Sequence, residues 1–521
     1  MFKPIFNGPR LVIFILAVAL SGWLVTVVDE GLASGWTFNV IRNWQEDGFG
    51  QLHGRLAANP GGYDVVSHPE IYGGHRAASL YPAFVCAELL PWHGNPLILY
   101  FVLCAIAVLV SAWALLGQGP LAFLAAALIV VCPGYLRWQT TLDPNLVCVL
   151  AGFPFCALVI AQLSRPSVPA WGFAGLFFLV AVYSALNWTT ALVHAMLFAT
   201  LLVMRQVSWR RLAIYTVFTG GALLAVVTLS VASKMGCGNG PVAGPAPHSA
   251  LTELLRSYTW GNTGYGQDLS TKTAVTRLIV VNTIGFLPVL LLLLWQAWRR
   301  RNDLRRSDFQ FALPFGAAVG EIVFMRNYFA HHPWMSCNFL LLGGVLSLCA
   351  WGNAGCVEAA PAGPAAGAMI RRDFLKQGLA VLAASAYCFF IITMAHQYNA
   401  GEFALLRFVR SETPRPATIM IDANRDPALL SIADRLPELL DRQVTVVTNI
   451  TGGQLSSGEY LLTGVPAPVV GQLGAANTNS SDHGSMMQSM LRWYGQHISR
   501  RRAGDKMNVA DAYFLYEPAG K

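Results

Sequence analysis

The sequence predicts a polytopic α-helical membrane protein of about 11 spans, with a small C-terminal α/β domain outside the cytoplasm. Composition is the first reason, because hydrophobic residues make up 55% of the 521 residues and charged residues only 12%. A soluble domain carries about 25% charged residues. The second reason is a series of long apolar runs between residues 11 and 395. The third is a change to soluble composition near His396, where strand-like and helical patterns alternate.

Each apolar run, at roughly 17–22 residues, is long enough to cross the hydrocarbon core of a bilayer as a helix. The first run follows Lys3 and Arg10 and ends in Asp29-Glu30 instead of a cleavage site of small residues. We therefore expect it to be a retained first helix and not a signal peptide. We place the spans at 11–28, 97–116, 119–134, 145–163, 171–186, 188–204, 212–233, 275–296, 310–325, 336–352 and 376–395.

The basic residues predict the orientation of these spans. With an odd number of spans and a cytoplasmic N-terminus, the densest clusters of Lys and Arg fall on the cytoplasmic side. We therefore expect a protein of the bacterial cytoplasmic (inner) membrane whose C-terminal domain is periplasmic. The formal net charge of +8 is explained by these loops, and no nucleic-acid partner is expected. The clusters are Arg205 with Arg210 and Arg211, Arg299–Arg301 with Arg305 and Arg306, and Arg371 and Arg372 with Lys376.

Two domains are predicted, a transmembrane domain over residues 1–396 and a soluble domain over residues 397–521. The transmembrane domain includes a first external loop at 30–96, and loops of this length are usually functional. Helical spacing is present in that loop at 37–46 and 77–90. In the soluble domain we predict strands at 417–422, 443–448, 459–463 and 512–516, and helices at 427–441 and 486–498.

Acidic residues at the outer ends of spans are the first candidates for chemistry. Asp29 and Glu30 end the first span, and Asp143 stands before Pro144 at the start of another. Each has a plain structural explanation, a solvated helix end for the pair and an N-cap for Asp143. The predicted topology places all three on one membrane face together with Arg137, which suits binding of a phosphate or of an acceptor hydroxyl.

Two other external loops carry side chains that suit a sugar or a phosphate. One short loop between spans combines an arginine, a tyrosine and two adjacent histidines, and an aromatic belt at the membrane interface explains the tyrosine but not the histidines. The glycine-rich loop over 234–273 is as consistent with a segment that closes over a substrate as with an ordinary connection. The candidates are Arg326, Tyr328, His331 and His332 in the first of these loops, and Tyr258 and Trp260 in the second.

These motifs together resemble the GT-C superfamily of polyprenyl-phosphate-sugar-dependent membrane glycosyltransferases. The adjacent pair Asp29-Glu30 is similar to the Asp-Glu pair that protein O-mannosyltransferases carry after their first helix. The Leu-Asp-Pro at 142–144 is similar to the Asp-Pro that opens a span in lipid A aminoarabinose transferases. His68 begins a His-Pro-Glu where both groups commonly carry His-Pro-Pro, which is a departure from their pattern. The likeness covers about residues 10–350.

The resemblance implies transfer of a hexosyl or pentosyl group from a polyprenyl-phosphate donor to a lipid, glycan or protein acceptor on the outer face of the membrane, with inversion. It implies Asp29 as the first candidate for the base, Glu30 as the second, and Asp143 as a further catalytic residue. Members of the superfamily differ in their need for metal, so a divalent cation shared by Asp29 and Asp143 stays open. The expected substrate-binding residues are Arg137, His68, Arg326, Tyr328, His331, His332, Tyr258 and Trp260.

Three other functions stay open on the sequence alone: a transporter or flippase for a lipid-linked glycan, a polysaccharide polymerase or ligase, and a scaffold whose soluble domain binds a partner. Transporters place ionisable residues at mid-membrane in broken helices. The predicted spans are nearly free of charge apart from Glu321, and the acidic residues gather at loop edges. This distribution favours surface chemistry on a lipid headgroup. A scaffold has no need of a long first loop rich in His and Trp.

Overall fold

The contacts of the computed structural model divide the chain into two compact units. The helical unit comprises residues 1–27, 90–139 and 143–389, and the loop–sheet unit comprises residues 28–89, 140–142 and 390–521. Residues 30–89 of the predicted first external loop thus share a unit with the C-terminal region, while the predicted division at residue 397 stays a prediction. The structure describes residues 8–27, 35–61, 65–67, 77–89, 97–117, 120–139, 142, 144–187, 189–204, 207–236, 271–299, 310–324, 329, 333–353, 366–398, 409–410, 412–422, 436, 440–447, 455–463, 472–476 and 513–516.

A helix is present at the position of every predicted span. By length and composition alone, two helical segments of the described residues, Ile98–Leu116 and Leu375–Thr393, suffice to cross a bilayer, and seven further apolar helices are shorter. The number of spans stays a prediction. The described helices are α1 (Gly8–Val27), α2 (Gly35–Asn43), α3 (Tyr81–Leu89), α4 (Ile98–Leu116), α5 (Pro120–Val130), α6 (Pro133–Gln139), α7 (Pro144–Leu163), α8 (Ala170–Leu186), α9 (Thr190–Met204), α10 (Trp209–Gly236), α11 (Thr271–Arg299), α12 (Leu313–Phe324), α13 (Pro333–Asn353) and α14 (Ala366–Tyr398), with a π-helical turn (Trp44–Gly48) after α2 and a 3-10 turn (Ala77–Ser79) before α3.

Helix α13 forms the centre of the helical unit. It contacts α4, α6, α7, α9, α11 and α12, and Cys337, Leu342 and Leu346 on it are fully buried. Gly343 lets α12 approach closely, because a Cβ at this position would lie 3.1 Å from the Cβ of Ala318. Small residues at such crossings let helix backbones pack closely, so van der Waals contacts can hold the helices together where the hydrophobic effect does not.

The predicted span at 119–134 is divided into two helices. α5 ends at Val130, and the separate short helix α6 begins at Pro133. Proline lacks an N–H group and its φ is preset for a helix, so it suits a first helical residue and cannot continue the preceding helix without losing a hydrogen bond. The sequence pattern extended the span too far because apolar composition continues to Cys132.

The first external loop contains the helical stretches that its spacing predicts. Asn39, Val40, Asn43 and Trp44 are buried on one face of α2 and the turn that follows it. Trp44 Nε1 donates a hydrogen bond to the backbone oxygen of Arg55 at 2.7 Å. The loop therefore folds back on its first helix and encloses polar as well as apolar side chains.

A five-stranded sheet with the order β2-β1-β3-β5-β4 is present in the C-terminal region. β1 pairs in parallel with β2 and β3, and β5 pairs antiparallel with β3 and β4. Ile419, Ile421, Leu461 and Leu462 of the central strands are fully buried. The strands are β1 (Thr418–Asp422), β2 (Gln443–Val447), β3 (Glu459–Thr463), β4 (Gln472–Ala476) and β5 (Tyr513–Tyr516).

Four of these strands were predicted and β4 was missed. The sequence of β4 is Gln-Leu-Gly-Ala-Ala, which has no β-branched or aromatic residue and therefore no strand signal. Its pairing with β5 is irregular between Gln472 and Gly474. The predicted helix at 486–498 lies outside the described residues, and the one at 427–441 lies mostly outside them.

Candidate functional site

The short helix α6 carries Arg137 and is packed closely against two central helices of the helical unit. Leu136 is fully buried, and the backbone oxygen of Gly134 accepts a hydrogen bond from Nδ2 of Asn338 on α13 at 3.4 Å. A Cβ on Gly134 would lie only 2.9 Å from Cζ of Phe286 on α11. The absence of a side chain at Gly134 thus lets α11 and α13 fix the position of α6.

Three helices that border predicted site residues contact α6. α1 ends at Val27, shortly before Asp29. α7 begins directly after Asp143, and α13 begins directly after His332. α1 and α13 are far from α6 in sequence, so their packing against the helix that carries Arg137 is a property of the fold, whereas α7 follows α6 after four residues.

The start of α7 is anchored by a buried chain of polar side chains. Asn187 Nδ2 donates to Oδ1 of Asn145 at 2.7 Å, and Thr190 Oγ1 donates to the backbone oxygen of Asn187 at 2.7 Å. All three side chains are buried. Buried amides with paired donors and acceptors are rigid, because opening them leaves unsatisfied groups. The helix that follows Asp143 therefore begins at a fixed point.

The predicted site residues themselves lie almost entirely outside the described residues. Arg137 lies on α6, although nothing of its side chain is described. In the described part of the chain, no group of three or more His, Cys, Asp or Glu side chains is placed to hold a metal ion, and a divalent cation at the predicted carboxylates stays open. The residues outside the described part are Asp29, Glu30, Asp143, His68, Tyr258, Trp260, Arg326, Tyr328, His331 and His332.

An apolar cavity of about 160 Å³ lies between α4, α5, α11, α12 and α13. Phe286 lines this cavity and also contacts α6, so the cavity adjoins the helix that carries Arg137. Asn282 is one of its few polar wall residues, and its Nδ2 donates to Oγ of Ser336 at 3.0 Å. Such walls suit a hydrocarbon chain and offer little to a sugar.

The loop–sheet unit holds a charged cluster around Asp441, which we call the Asp441 cluster (Arg42, Asn43, Glu46, Gly61, Arg415 and Asp441). Asp441 Oδ2 accepts hydrogen bonds from Arg42 Nη1 at 2.6 Å and from Arg415 Nε at 2.9 Å. Its Oδ1 accepts the backbone N–H of Gly61 at 3.1 Å. One carboxylate thus joins two parts of the first external loop to the C-terminal region.

Arg415 spreads its guanidinium over three different acceptors of this cluster. Nε donates to Asp441, Nη2 donates to Oδ1 of Asn43 at 2.8 Å, and Nη1 pairs with Glu46. Asn43 in turn donates from Nδ2 to two backbone oxygens of its own loop, both at 2.9 Å. The planar fork of arginine matches this geometry, which a point charge on a flexible stem does not.

Asp441 is ionised at neutral pH despite its burial. Its side chain is 1% exposed, and burial by itself would raise its pKa. The guanidinium groups of Arg415 and Arg42 outweigh burial and lower the pKa of Asp441 below its ordinary value of 3.8. Burial lowers the pKa of the neighbouring Arg442 to about 10, so Arg442 stays protonated at neutral pH.

An aromatic group gives the first external loop a small core of its own. The ring of Trp44 lies 5.3 Å from that of Phe49, 5.7 Å from that of Tyr81 and 5.5 Å from that of Phe84. Tyr81 donates its hydroxyl to the backbone oxygen of Gly54 at 3.3 Å, and burial raises the pKa of this tyrosine. The pairs of Trp44 with Phe49 and with Phe84 are edge-to-face, and such pairs add stability beyond the area that they bury.

The Asp441 cluster was not predicted from the sequence. Arg42 and Asp441 are separated by 399 positions, so no local spacing connects them. The single usable signal was a pair of charges, Asp441 and Arg442, directly before an apolar strand, and it equally fits an ordinary helix end. The cluster is therefore a finding of the structure alone.

Comparison with solved structures finds chains of similar fold and very low sequence identity. The chain is similar to ArnT from Cupriavidus metallidurans bound to undecaprenyl phosphate, with a TM-score of 0.50 and 15% identity over 84% of this chain and 86% of that chain. Apo ArnT matches with a TM-score of 0.47 and 15% identity, over 84% of this chain and 86% of that one. The apo oligosaccharyltransferase of Archaeoglobus fulgidus matches with a TM-score of 0.44 and 11% identity, over 85% of this chain and 65% of that one. No protein-family model and no curated protein matches the chain.

Replacement of Gly134 by Ala is expected to displace α6. The new Cβ would lie 2.9 Å from Phe286, and overpacking of this kind costs about 1–3 kcal/mol. Gly320→Ala on α12 is the matched control, because no atom lies within 4 Å of its Cβ position. A thermal-shift measurement in detergent is expected to show a lower melting temperature for the first variant and an unchanged or higher one for the second. Equal melting temperatures would contradict close packing at α6.

Proposed function

We propose that the protein is an integral membrane glycosyltransferase that moves a sugar from a polyprenyl-phosphate donor to a lipid, glycan or protein acceptor. The observation that carries the proposal is the packing of α1 and α13 against α6, since these helices border Asp29 and His332, α6 carries Arg137, and Asp143 follows four positions after the end of α6. The fold that the chain shares with ArnT supports it. In this proposal about 11 helices span the bacterial cytoplasmic membrane, with the N-terminus inside and a C-terminal α/β domain in the periplasm.

The proposed reaction is a displacement at the anomeric carbon with inversion. Asp29, or Glu30 as the second candidate, takes the proton of the acceptor hydroxyl or amine as a general base. The bond from the acceptor to the sugar forms as the bond from the sugar to the lipid phosphate breaks. Arg137 and Arg326, with His331 or His332, stabilise the negative charge on the departing phosphate.

The apolar cavity beside α6 gives the donor lipid a place in this proposal. Its walls are mostly hydrocarbon, and Phe286 connects it to the helix that carries Arg137. A prenyl chain in the cavity would bring its phosphate toward the predicted cations. ArnT, whose fold is similar, was crystallised with undecaprenyl phosphate, which is a lipid of this class.

A reconstitution assay distinguishes the proposed transferase from a flippase. The purified protein in liposomes receives lipid-linked sugars and acceptors extracted from native membranes, and mass spectrometry follows both. A transferase releases free polyprenyl phosphate and produces a glycosylated acceptor. A flippase moves the donor between leaflets and leaves it intact, so an unchanged donor pool with altered leaflet distribution would overturn the proposal. A polymerase or ligase would be identified by the length of the glycan on the product.

Replacement of Arg137 by Gln is expected to weaken binding of undecaprenyl phosphate by about tenfold or more, because a hydrogen bond to a charged group contributes about 1.5–3 kcal/mol. The measurement is equilibrium binding of undecaprenyl phosphate to the purified protein in detergent. Arg165→Gln is the control, since Arg165 is exposed in a short loop on the predicted cytoplasmic side. Equal dissociation constants for the Arg137 variant and the wild type would remove Arg137 from the phosphate site.

A further inference from the structure

We infer that Arg415 and Asp441 of the C-terminal region are positioning residues that hold the first external loop in place and, through it, the Asp29-Glu30 pair. The inference rests on the proposed function for its catalytic part. Neither residue is expected to touch the reacting atoms. Their role follows from the contacts that they make with the loop.

The loop and the C-terminal region belong to one compact unit, and the Asp441 cluster joins them. Arg42 and Asn43, at the end of α2, contact Asp441 and Arg415 at 2.6 Å and 2.8 Å. Gly61 binds Asp441 through its backbone N–H. The loop is therefore held at two points, the C-terminal end of α2 and Gly61.

The backbone at Gly61 of the loop approaches the backbone at Arg415 and Asp441 of the C-terminal region closely. A Cβ on Gly61 would lie 2.6 Å from the backbone oxygen of Arg415 and 2.8 Å from that of Asp441. Backbone oxygens cannot rotate away as side-chain tips can, so a side chain at this position would push the segments apart. The closeness of the backbones shows that the docking depends on shape as well as on charge.

The loop connects the cluster to the predicted base. α2 begins at Gly35, five positions after Glu30, and its last turn carries Arg42 and Asn43. The chain therefore connects the Asp441 cluster to the Asp29-Glu30 pair through α2, and this covalent connection gives Arg415 a route to the predicted base without direct contact.

Two lysine substitutions test the docking with the charge retained. Arg415→Lys keeps a positive charge but cannot reach three acceptors, whereas Arg42→Lys has one contact with Asp441 to replace. Hydrogen exchange of residues 35–61 in the full-length protein is the measurement. Arg415→Lys is expected to accelerate exchange about tenfold, as loss of one charged hydrogen bond would. Arg42→Lys is expected to leave the exchange rates near those of the wild type.

A pair of glycine substitutions tests the same docking without any change of charge. Gly61→Ala introduces the clash with Arg415 and Asp441, whereas Gly50→Ala in the same loop meets no atom within 4 Å. Gly61→Ala is expected to accelerate exchange of the loop as Arg415→Lys does. Gly50→Ala is expected to leave the exchange rates unchanged.

Turnover separates positioning from a merely structural role. With lipid-linked sugars from native membranes as the donor, Arg415→Lys is expected to lower kcat per folded molecule about tenfold and to leave the Kd for undecaprenyl phosphate unchanged. Unchanged exchange in Arg415→Lys and Gly61→Ala overturns the inference, and so does accelerated exchange with normal kcat. Absence of transfer in the wild type counts against the proposed function instead, and the exchange rates then still decide whether the C-terminal region holds the loop.

Discussion

Asp29→Asn is expected to abolish sugar transfer, with a fall in kcat of about 10²–10⁴, which is the usual contribution of a general base. Asparagine keeps the shape of the side chain and removes the group that accepts the acceptor's proton. Binding of undecaprenyl phosphate is expected to be unchanged, because the predicted lipid-phosphate site contains Arg137 and Arg326 instead. The measurement is single-turnover transfer from lipid-linked sugar in detergent, together with equilibrium binding.

Glu30→Gln is the matched variant that decides between the two adjacent carboxylates. If Asp29 is the base, Glu30→Gln is expected to lower kcat much less than Asp29→Asn does. The opposite order would assign the base to Glu30 and retain the mechanism. Wild-type turnover in both variants would remove the pair from the chemistry and leave Asp143 as the remaining candidate. Each variant also needs a normal thermal transition, so that loss of activity is not loss of fold.

The helical part of the fold was predictable because backbone polar groups in an apolar environment must pair with each other, which leaves few structures for a long apolar run. A run such as 98–116 has no charged residue, and such runs have few alternatives to a helix. Apolar composition does not show where a helix ends inside an apolar run, as α5 does at Val130. Composition also fails to predict β4, whose Gly and Ala residues carry no strand signal and which is held by its partner β5. The break before Pro133 is a local effect of proline, whereas for β4 the pairing with β5 decides what local composition cannot.

The candidate site, like the fold, could be predicted from the sequence only in part. Asp29 and Asp143 were chosen as acidic residues at span ends, and His332 was chosen from a loop that also holds an arginine and a second histidine; helices beside these residues do contact α6. The Asp441 cluster could not be chosen, because Arg415 and Asp441 look like ordinary surface charges in a soluble region. Their role is visible only in the structure, where Arg42 and Gly61 contact Asp441 although several hundred residues separate the two regions in sequence. A pairing between distant charges leaves no periodic trace in one sequence.

Asp441→Ala is expected to destabilise the loop–sheet unit by about 3–5 kcal/mol, the usual cost of removing one partner of a buried ion pair. The substitution leaves Arg42, Arg415 and the N–H of Gly61 without their shared acceptor, in a place where Asp441 itself is 1% exposed. The measurement is urea-dependent proteolysis of the first external loop in the full-length protein, with the wild type at the same pH.

Two matched variants separate the causes of this loss. Asp441 has a φ of 54°, which glycine adopts without strain and alanine does not, so Asp441→Gly removes the carboxylate without the backbone cost. Asp441→Asn keeps an acceptor for Gly61 and tolerates a positive φ, and it removes the charge alone. If the ion pairs dominate, Asp441→Asn is expected to lose most of the stability that Asp441→Ala loses. A nearly wild-type Asp441→Gly would contradict the importance of the cluster and assign the loss in Asp441→Ala to backbone strain.

The pH dependence of the stability difference between the wild type and Asp441→Asn independently tests whether the charge of Asp441 is responsible. The pKa of Asp441 in the folded protein lies below its ordinary value of 3.8, because Arg415 and Arg42 outweigh burial. A depressed carboxyl pKa contributes stability that is fully present above the unfolded pKa and is lost as the pH falls through the folded pKa. The stability gap between the wild type and Asp441→Asn is therefore expected to stay constant between about pH 5 and pH 8 and to shrink below about pH 4. A gap that changes near pH 6 or 7 would instead indicate a titrating group other than Asp441.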